Sequence, residues 1–220
     1  MSYRWKFKNK QDEIINKFMI KKIIEEKKIN SLIHFTHIDN LENIINYGIL
    51  SRESMKYKNV DFYYTDEMRL DDYLDAISLS ITYPNGKMLY KKRVDDGNNF
   101  IIIKLSPAIL YNLDCAFCGS NAAANAVKAI PLNQRVTYKA LENMFSLNPS
   151  GSGCTRAIGL PDNMPTDEQA EVLVFDDISA HYIEEIVFFS KDGMDQYSDL
   201  CENIKCTYDY RMFGIREYYL

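Results

Sequence analysis

Between residues 11 and 28, Ile14, Ile15, Phe18, Met19, Ile23 and Ile24 recur at helical spacing with Lys and Glu between them. This spacing predicts an amphipathic helix with an inward apolar stripe. Residues 31–35 read as a short strand. Asp39 then stands where a helix cap belongs, since Glu42 follows three residues later and Leu41, Ile44 and Ile45 form an inner stripe. Gly48 supplies a left-handed ending. Residues 51–75 are polar, tyrosine-rich and aperiodic, and read as irregular. Residues 76–83 predict a strand that stops at the turn Pro84-Asn85-Gly86. The run FIIIKL at 100–105 predicts a buried strand, and alanine-rich 121–128 and residues 138–145 predict helices. Residues 146–169 are rich in Gly, Pro, Asn and Ser; structureless stretches of that length inside a compact domain usually carry function. EVLVF at 171–175 and EIVFF at 185–189 are two more strands. The pattern predicts a mixed α+β fold, with residues 1–30 as an N-terminal helical extension and 31–220 as one domain.

Composition narrows the classes. Hydrophobic side chains make up 46% of the 220 residues, enough for a substantial core. The net charge of −5 argues against a broad basic face laid on duplex DNA. A local basic strip stays compatible with it, because charge acts over roughly 10 Å at physiological salt. The opening MSYRWKFKNK lacks the apolar run of a secretory signal, and no stretch approaches the roughly 20 apolar residues of a membrane span. Five cysteines, an odd number, do not suggest a disulfide framework. A cytoplasmic protein without membrane attachment is expected. Cys115 and Cys118 have zinc-ligand spacing, and Cys201 with Cys206 is just within range. The two pairs are distant and lack the turn residues of a zinc knuckle, so they read as buried thiols and no metal is expected.

Candidate chemistry gathers at a few positions, each with a plain structural alternative. His34, Phe35, Thr36 and His37 lie between a strand and a helix, where imidazole and hydroxyl groups suit a ribose or a carboxamide; otherwise His34 is a core histidine and Thr36 a turn residue. Glu171 opens an apolar strand after the long loop. A partly desolvated carboxylate there can act as a general base or hold a hydroxyl, or simply be a surface glutamate. Arg69 can clamp a pyrophosphate or be an ordinary surface arginine. Arg4-Trp5-Lys6-Phe7-Lys8 and Lys91-Lys92-Arg93 have the makeup of a strip that stacks bases and follows phosphates, and equally of a solvated surface. His34, His37 and Asp39 together offer a metal-dependent nuclease, but the capping role already accounts for Asp39.

Three blocks then fall in a known order. The run Ile33-His34-Phe35-Thr36-His37-Ile38-Asp39-Asn40-Leu41, continuing through Ile44 to Gly48-Ile49-Leu50, resembles the opening signature of the DarT family of ADP-ribosyltransferases. Phe117 with Asn121-Ala122-Ala123 resembles the family's central helix, and Gln169-Ala170-Glu171-Val172-Leu173-Val174 its catalytic strand. The resemblance implies a single α+β transferase domain with NAD in the cleft of a split mixed sheet. It implies transfer of ADP-ribose from NAD to a nucleobase of single-stranded DNA or RNA, and a bacterial toxin or phage-defence role with a macrodomain or other antitoxin as partner. Glu171 matches the catalytic glutamate, and Arg69 the active-site arginine. His34, Phe35 and Thr36 match the NAD-binding entrance, with Asn43 and Ser51 near further cofactor contacts. Residues 146–169 match the substrate-recognition loop, in which Arg156 would contact a phosphate. The stretch from Ser78 to Leu89 lacks the arginine-bearing "PRSP" of the DNA-thymine branch, which leaves the modified base open. Transfer to protein, or a catalytically inactive binding module of the same fold, are the alternatives.

Overall fold

The computed structural model describes residues 7, 9–63, 73, 75–97, 99–201 and 203–216. Seven strands form one open sheet: β1 (Leu32–His37), β2 (Ile77–Ile81), β3 (Phe100–Leu105), β4 (Cys115–Cys118), β5 (Glu171–Val174), β6 (Ile183–Phe188) and β7 (Lys205–Tyr208). Their spatial order is β4-β5-β2-β1-β3-β6-β7. All neighbours are antiparallel except β6 and β7, so the sheet is mixed. β1 pairs with β3 through all six of its residues but with β2 only at Leu32–Ile81 and Ile33–Ser80. Past those two positions the strands part, and the sheet is split there.

Side-chain alternation decides which face is which. Ile77, Leu79 and Ile81 of β2 and Val172 and Val174 of β5 enter the main core. The residues between them, Ser78, Ser80, Glu171 and Leu173, take the opposite face because successive side chains in a strand alternate. On that second face the apolar cover comes in separate patches. One holds Ile33, Leu89, Phe100, Ile102, Val187, Met212 and Phe213. Another holds Ala76, Ala116, Cys118, Ala122 and Leu173.

Nine α-helices occur among the described residues: α1 (Lys10–Lys27), α2 (Leu41–Tyr47), α3 (Arg52–Lys58), α4 (Gly86–Asp96), α5 (Ile109–Asn112), α6 (Asn125–Lys128), α7 (Leu132–Arg135), α8 (Tyr138–Asn143) and α9 (Lys191–Gln196). The Asn9 side chain caps α1 by accepting from the Asp12 N–H, and Lys28 closes it in the left-handed region at φ 54°. The inward face of α1 keeps only the later part of the expected stripe, with Ile23 buried and Ile24 packed against the core. Ile20, Ile23 and Asn16 are buried, whereas Ile14, Ile15 and Phe18 are exposed, Phe18 at 64%. Asn16 sets this rotation: its amide donates to the Val136 carbonyl at 3.3 Å and its carbonyl accepts from the Tyr138 N–H at 2.6 Å. A buried amide with both ends satisfied outranks a few exposed methylenes.

Other expectations are corrected in the same way. His37, not Asp39, caps the turn before α2, with Nδ1 accepting from the Asp39 N–H at 3.3 Å. Gly48 has φ 78° but ψ −171°, so it is extended rather than left-handed helical. A side chain there would meet the Ile178 carbonyl at 2.2 Å, because residue 49 bridges to residue 178. Glycine is required by close approach and by positive φ together. The stretch read as irregular contains α3, capped by Ser51, whose hydroxyl accepts from the Ser54 N–H at 3.2 Å. The turn at Asn85-Gly86 is the start of α4, capped by the Asn85 side chain on the Met88 N–H at 3.1 Å. Of the alanine-rich segment, only Asn125–Lys128 is helical; residues 121–124 form a turn. Residues 146–169 contain neither helix nor strand, as expected. No helix among the described residues is long and apolar enough to cross a membrane.

Candidate active site

A cleft of about 350 Å³ opens where β1 and β2 part. Its lining joins His34, Phe35 and Thr36 of β1 to Ser78 and Ser80 of β2 and to Glu171 of β5. Ile44, Ser51, Arg52 and Met55 of the α2–α3 region form one wall, and Met88 and Lys92 of α4 another. Asn121 and Ala123 of the turn after β4 complete it. The volume and the mixed apolar and polar lining are those of a small-molecule site.

Glu171 is 9% exposed, at the point where β5 emerges from the long loop. Its Oε2 accepts from the Ala122 N–H at 2.8 Å, and its backbone position pairs with Cys118 of β4. The turn at 121–124, unsuspected as such in the sequence, therefore holds the carboxylate from the far side of the cleft. His34 is fixed by its Nδ1, which lies 3.2 Å from the Ser78 carbonyl. A carbonyl can only accept, so Nδ1 carries the proton and, in the neutral ring, Nε2 is an acceptor. This contact takes up a β2 carbonyl just past the last β1–β2 pair.

Thr36 and the cleft wall are organised by Asn40, which is 3% exposed. The Asn40 amide donates to Thr36 Oγ1 at 2.8 Å and to the Tyr63 carbonyl at 2.9 Å, while its oxygen accepts from the Tyr63 N–H at 2.7 Å. The Tyr63 ring also stacks on His37 at 4.1 Å. With its oxygen accepting from Asn40, the Thr36 hydroxyl has its hydrogen available as a donor. Ser51 donates its N–H to Asp177 Oδ1 at 3.1 Å, and Lys58 reaches Asp177 Oδ2 at 3.0 Å, which pins α3 beside the cleft.

The predicted residues thus divide. His34, Phe35, Thr36, Ser51 and Glu171 line one cavity. Asn43 does not line it; its amide donates to the Asp61 carbonyl at 2.8 Å. Arg156 lies in the long loop, with one terminal nitrogen donating to the Met164 carbonyl at 2.9 Å and the other to the Pro161 carbonyl at 2.8 Å. Further contacts reach Thr166 Oγ1 and the Leu160 carbonyl, so this guanidinium staples its own loop. Arg69 lies outside the described residues, as do Arg4, Trp5, Lys6 and Lys8. Sequence reasoning missed Asn40, Arg52 and the pair Ser78 and Ser80. The serines were detectable in principle, as the polar members of an otherwise apolar ISLSI strand. Among the described residues no group of three or more His, Cys, Asp or Glu side chains is arranged to hold a metal ion, so His34, His37 and Asp39 do not form one.

The base of the long loop is itself a polar bracket. Asp167 accepts from the Ser152 hydroxyl at 2.7 Å and from the Gln169 N–H at 2.9 Å. Burial pushes its carboxyl up, but hydrogen bonds from Ser120, Gln169, Ser152 and Cys154 outweigh burial and leave it below its ordinary value.

Comparisons with known proteins bear on this geometry. The sequence profile of the family described as "ssDNA thymidine ADP-ribosyltransferase, DarT" matches residues 33–213. No curated protein sequence matches the chain. Among solved structures, the chain is similar to Thermosipho africanus DarTG in complex with ADP-ribose, at TM-score 0.60 and 18% identity over 84% of this chain. It spans only 51% of that protein. It is also similar to Thermus sp. 2.9 DarT in complex with NAD+, at TM-score 0.55 and 14% identity, covering 84% of this chain and 98% of the other. The same Thermus protein in complex with ADP-ribosylated ssDNA matches at TM-score 0.53 and 15% identity, over 84% and 97% of the two chains. At these identities the structural likeness establishes the fold.

Proposed function

The chain belongs to the DarT family, matched over residues 33–213, and from that premise we propose that it transfers ADP-ribose from NAD to a nucleobase of single-stranded DNA. The observation that carries this reading is the meeting of Glu171 with His34, Phe35 and Thr36 in one cleft, from segments far apart in sequence. The structures of the Thermus relative in complex with NAD+ and with ADP-ribosylated ssDNA support the same substrates.

In this reading NAD occupies the split between β1 and β2. His34 Nε2 accepts from, and the Thr36 hydroxyl donates to, the nicotinamide-ribose end. Arg52 and Lys92, both at the cleft, offset the pyrophosphate charge. Glu171, fixed by the Ala122 N–H, holds a ribose hydroxyl and steadies positive charge as the bond from ribose C1′ to nicotinamide breaks. Nicotinamide leaves as a neutral molecule. A base nitrogen then bonds to C1′, and its proton passes to the Glu171 carboxylate. Arg69 keeps its proposed place as the active-site arginine. Asn43, which also supports the chain around Asp61, and Arg156 of the long loop keep their proposed places near the cofactor and at a phosphate of the strand. A single strand needs no base flipping from a duplex, which costs a few kcal/mol.

Residues 31–220 are proposed as the transferase domain and the segment before them as an extension. A toxin or defence role, a cytoplasmic address and a macrodomain or other antitoxin partner belong to the same proposal, the partner being supported by the likeness to DarTG. The test incubates wild type and Glu171→Gln with NAD and panels of DNA and RNA oligonucleotides, read by mass spectrometry. One added ADP-ribose on a DNA strand is expected, reduced on the order of 10³-fold in the variant. Modification of RNA alone would move the substrate to RNA, and modification of protein alone would reject the nucleic-acid reading.

A further inference from the structure

Arg216 lies just beyond the span shared with the family, yet it reaches the base of the loop that leads into Glu171. One terminal nitrogen donates to the Pro165 carbonyl at 2.7 Å and the other to the Thr166 carbonyl at 3.0 Å. These are two successive main-chain acceptors, so the planar fork grips the chain rather than a side chain. Burial lowers the pKa of this guanidinium, and the Glu168 and Asp167 carboxylates act against that. Thr166 is held from its other sides as well: its N–H donates to the Met144 carbonyl at 2.9 Å and its hydroxyl to the Ser146 carbonyl at 2.6 Å. One residue on, Asp167 closes the bracket with Ser152 and Gln169; beyond it, Lys87 of α4 sits 3.0 Å from Glu168 Oε1 as a charge contact.

The segment carrying Arg216 is itself anchored. The Tyr83 hydroxyl donates to the Arg211 carbonyl at 2.8 Å, and Arg93 donates to the Phe213 carbonyl at 2.7 Å. Gly86 lets this segment approach, since a Cβ there would meet the Gly214 carbonyl at 2.4 Å. A chain of contacts therefore runs from α4 through residues 211–216 to residues 165–166. Glu171 is fixed by other means, the Ala122 N–H and the β4 ladder.

We propose that Arg216 is a positioning residue for the loop 146–169, holding the loop's base so that the nucleic-acid strand meets a preformed surface. The proposal deepens the function proposed above and rests on that loop facing the acceptor strand. The Arg216 guanidinium donates to Pro165 and Thr166, neither of which lines the cleft, so its loss separates acceptor handling from NAD handling.

The experiment compares full-length wild type, Arg216→Ala and Arg216→Lys in three measurements: amide hydrogen exchange, NAD affinity by calorimetry, and KM for a single-stranded DNA oligonucleotide. In Arg216→Ala, exchange speeds up across residues 146–166 but not in β5. NAD affinity stays within about twofold, and oligonucleotide KM rises about tenfold or more, the effect of roughly one lost hydrogen bond at the loop base. Arg216→Lys, a single-point donor, falls between. Unchanged exchange in the loop overturns the clasp, whatever the oligonucleotide does. An equal loss of NAD affinity and oligonucleotide KM also overturns it, because that marks a general structural role. A wild type that modifies no oligonucleotide defeats the functional reading instead, while the exchange measurement still judges the clasp.

Discussion

At the scale of single residues, the site depends on side chains that do no chemistry but fix those that do. Asn40 makes three hydrogen bonds, one with Thr36 and two with Tyr63. Replacing it with Ala removes these and strands the Tyr63 backbone, a loss of about 3 kcal/mol at roughly one per bond. The expected outcome of Asn40→Ala is a lowered denaturation midpoint together with weaker NAD binding; a midpoint equal to wild type would rule out the clamp. Little of this was legible beforehand. The motif around His34 stands out through resemblance, but nothing in the sequence singles out the asparagine inside it. What gives Asn40 its role is a partner 23 positions away, and no local pattern encodes that pairing.

At the scale of elements, strands were legible where alternation and burial agreed. The six-residue β3 lies where FIIIKL places it, and β5 begins at Glu171 as read. Short elements such as β4, with four residues, were missed because CAFC has no period to detect, and β7 is too polar to stand out. Helix α4 was masked by its own cap: Asn85 and Gly86 look like a turn whether or not a helix follows. The rotation of α1 was misjudged because hydrophobicity was weighed without Asn16. This has a measurable side. Ile20 is 3% exposed and Phe18 64%. Ile20→Ala should therefore cost about 2–4 kcal/mol in chemical denaturation, whereas Phe18→Ser should stay within roughly 0.5 kcal/mol. Equal costs would mean that the helix sits the other way round.

At the scale of the whole molecule, several carboxylates bind fewer protons in the folded state than when unfolded. Burial raises Glu185, but Thr207, Lys104 and Lys205 more than reverse this, as the hydrogen bonds to Asp167 do at the loop base. The Arg211 contact holds Asp209 low against a smaller effect of burial. A depressed folded pKa gives stability that is fully present above the unfolded value and is lost as pH falls through the folded one. The protein should therefore weaken below about pH 4, near the ordinary carboxylate values. Asp167→Asn should flatten that acid limb in denaturation measured against pH. An unaltered acid profile would count against the bracket. The parting of β1 from β2 has a different consequence. Under the proposed function, a guest entering the gap with a flat amide group carries the donor and acceptor of a peptide unit, and it meets two strand edges that no longer pair with each other.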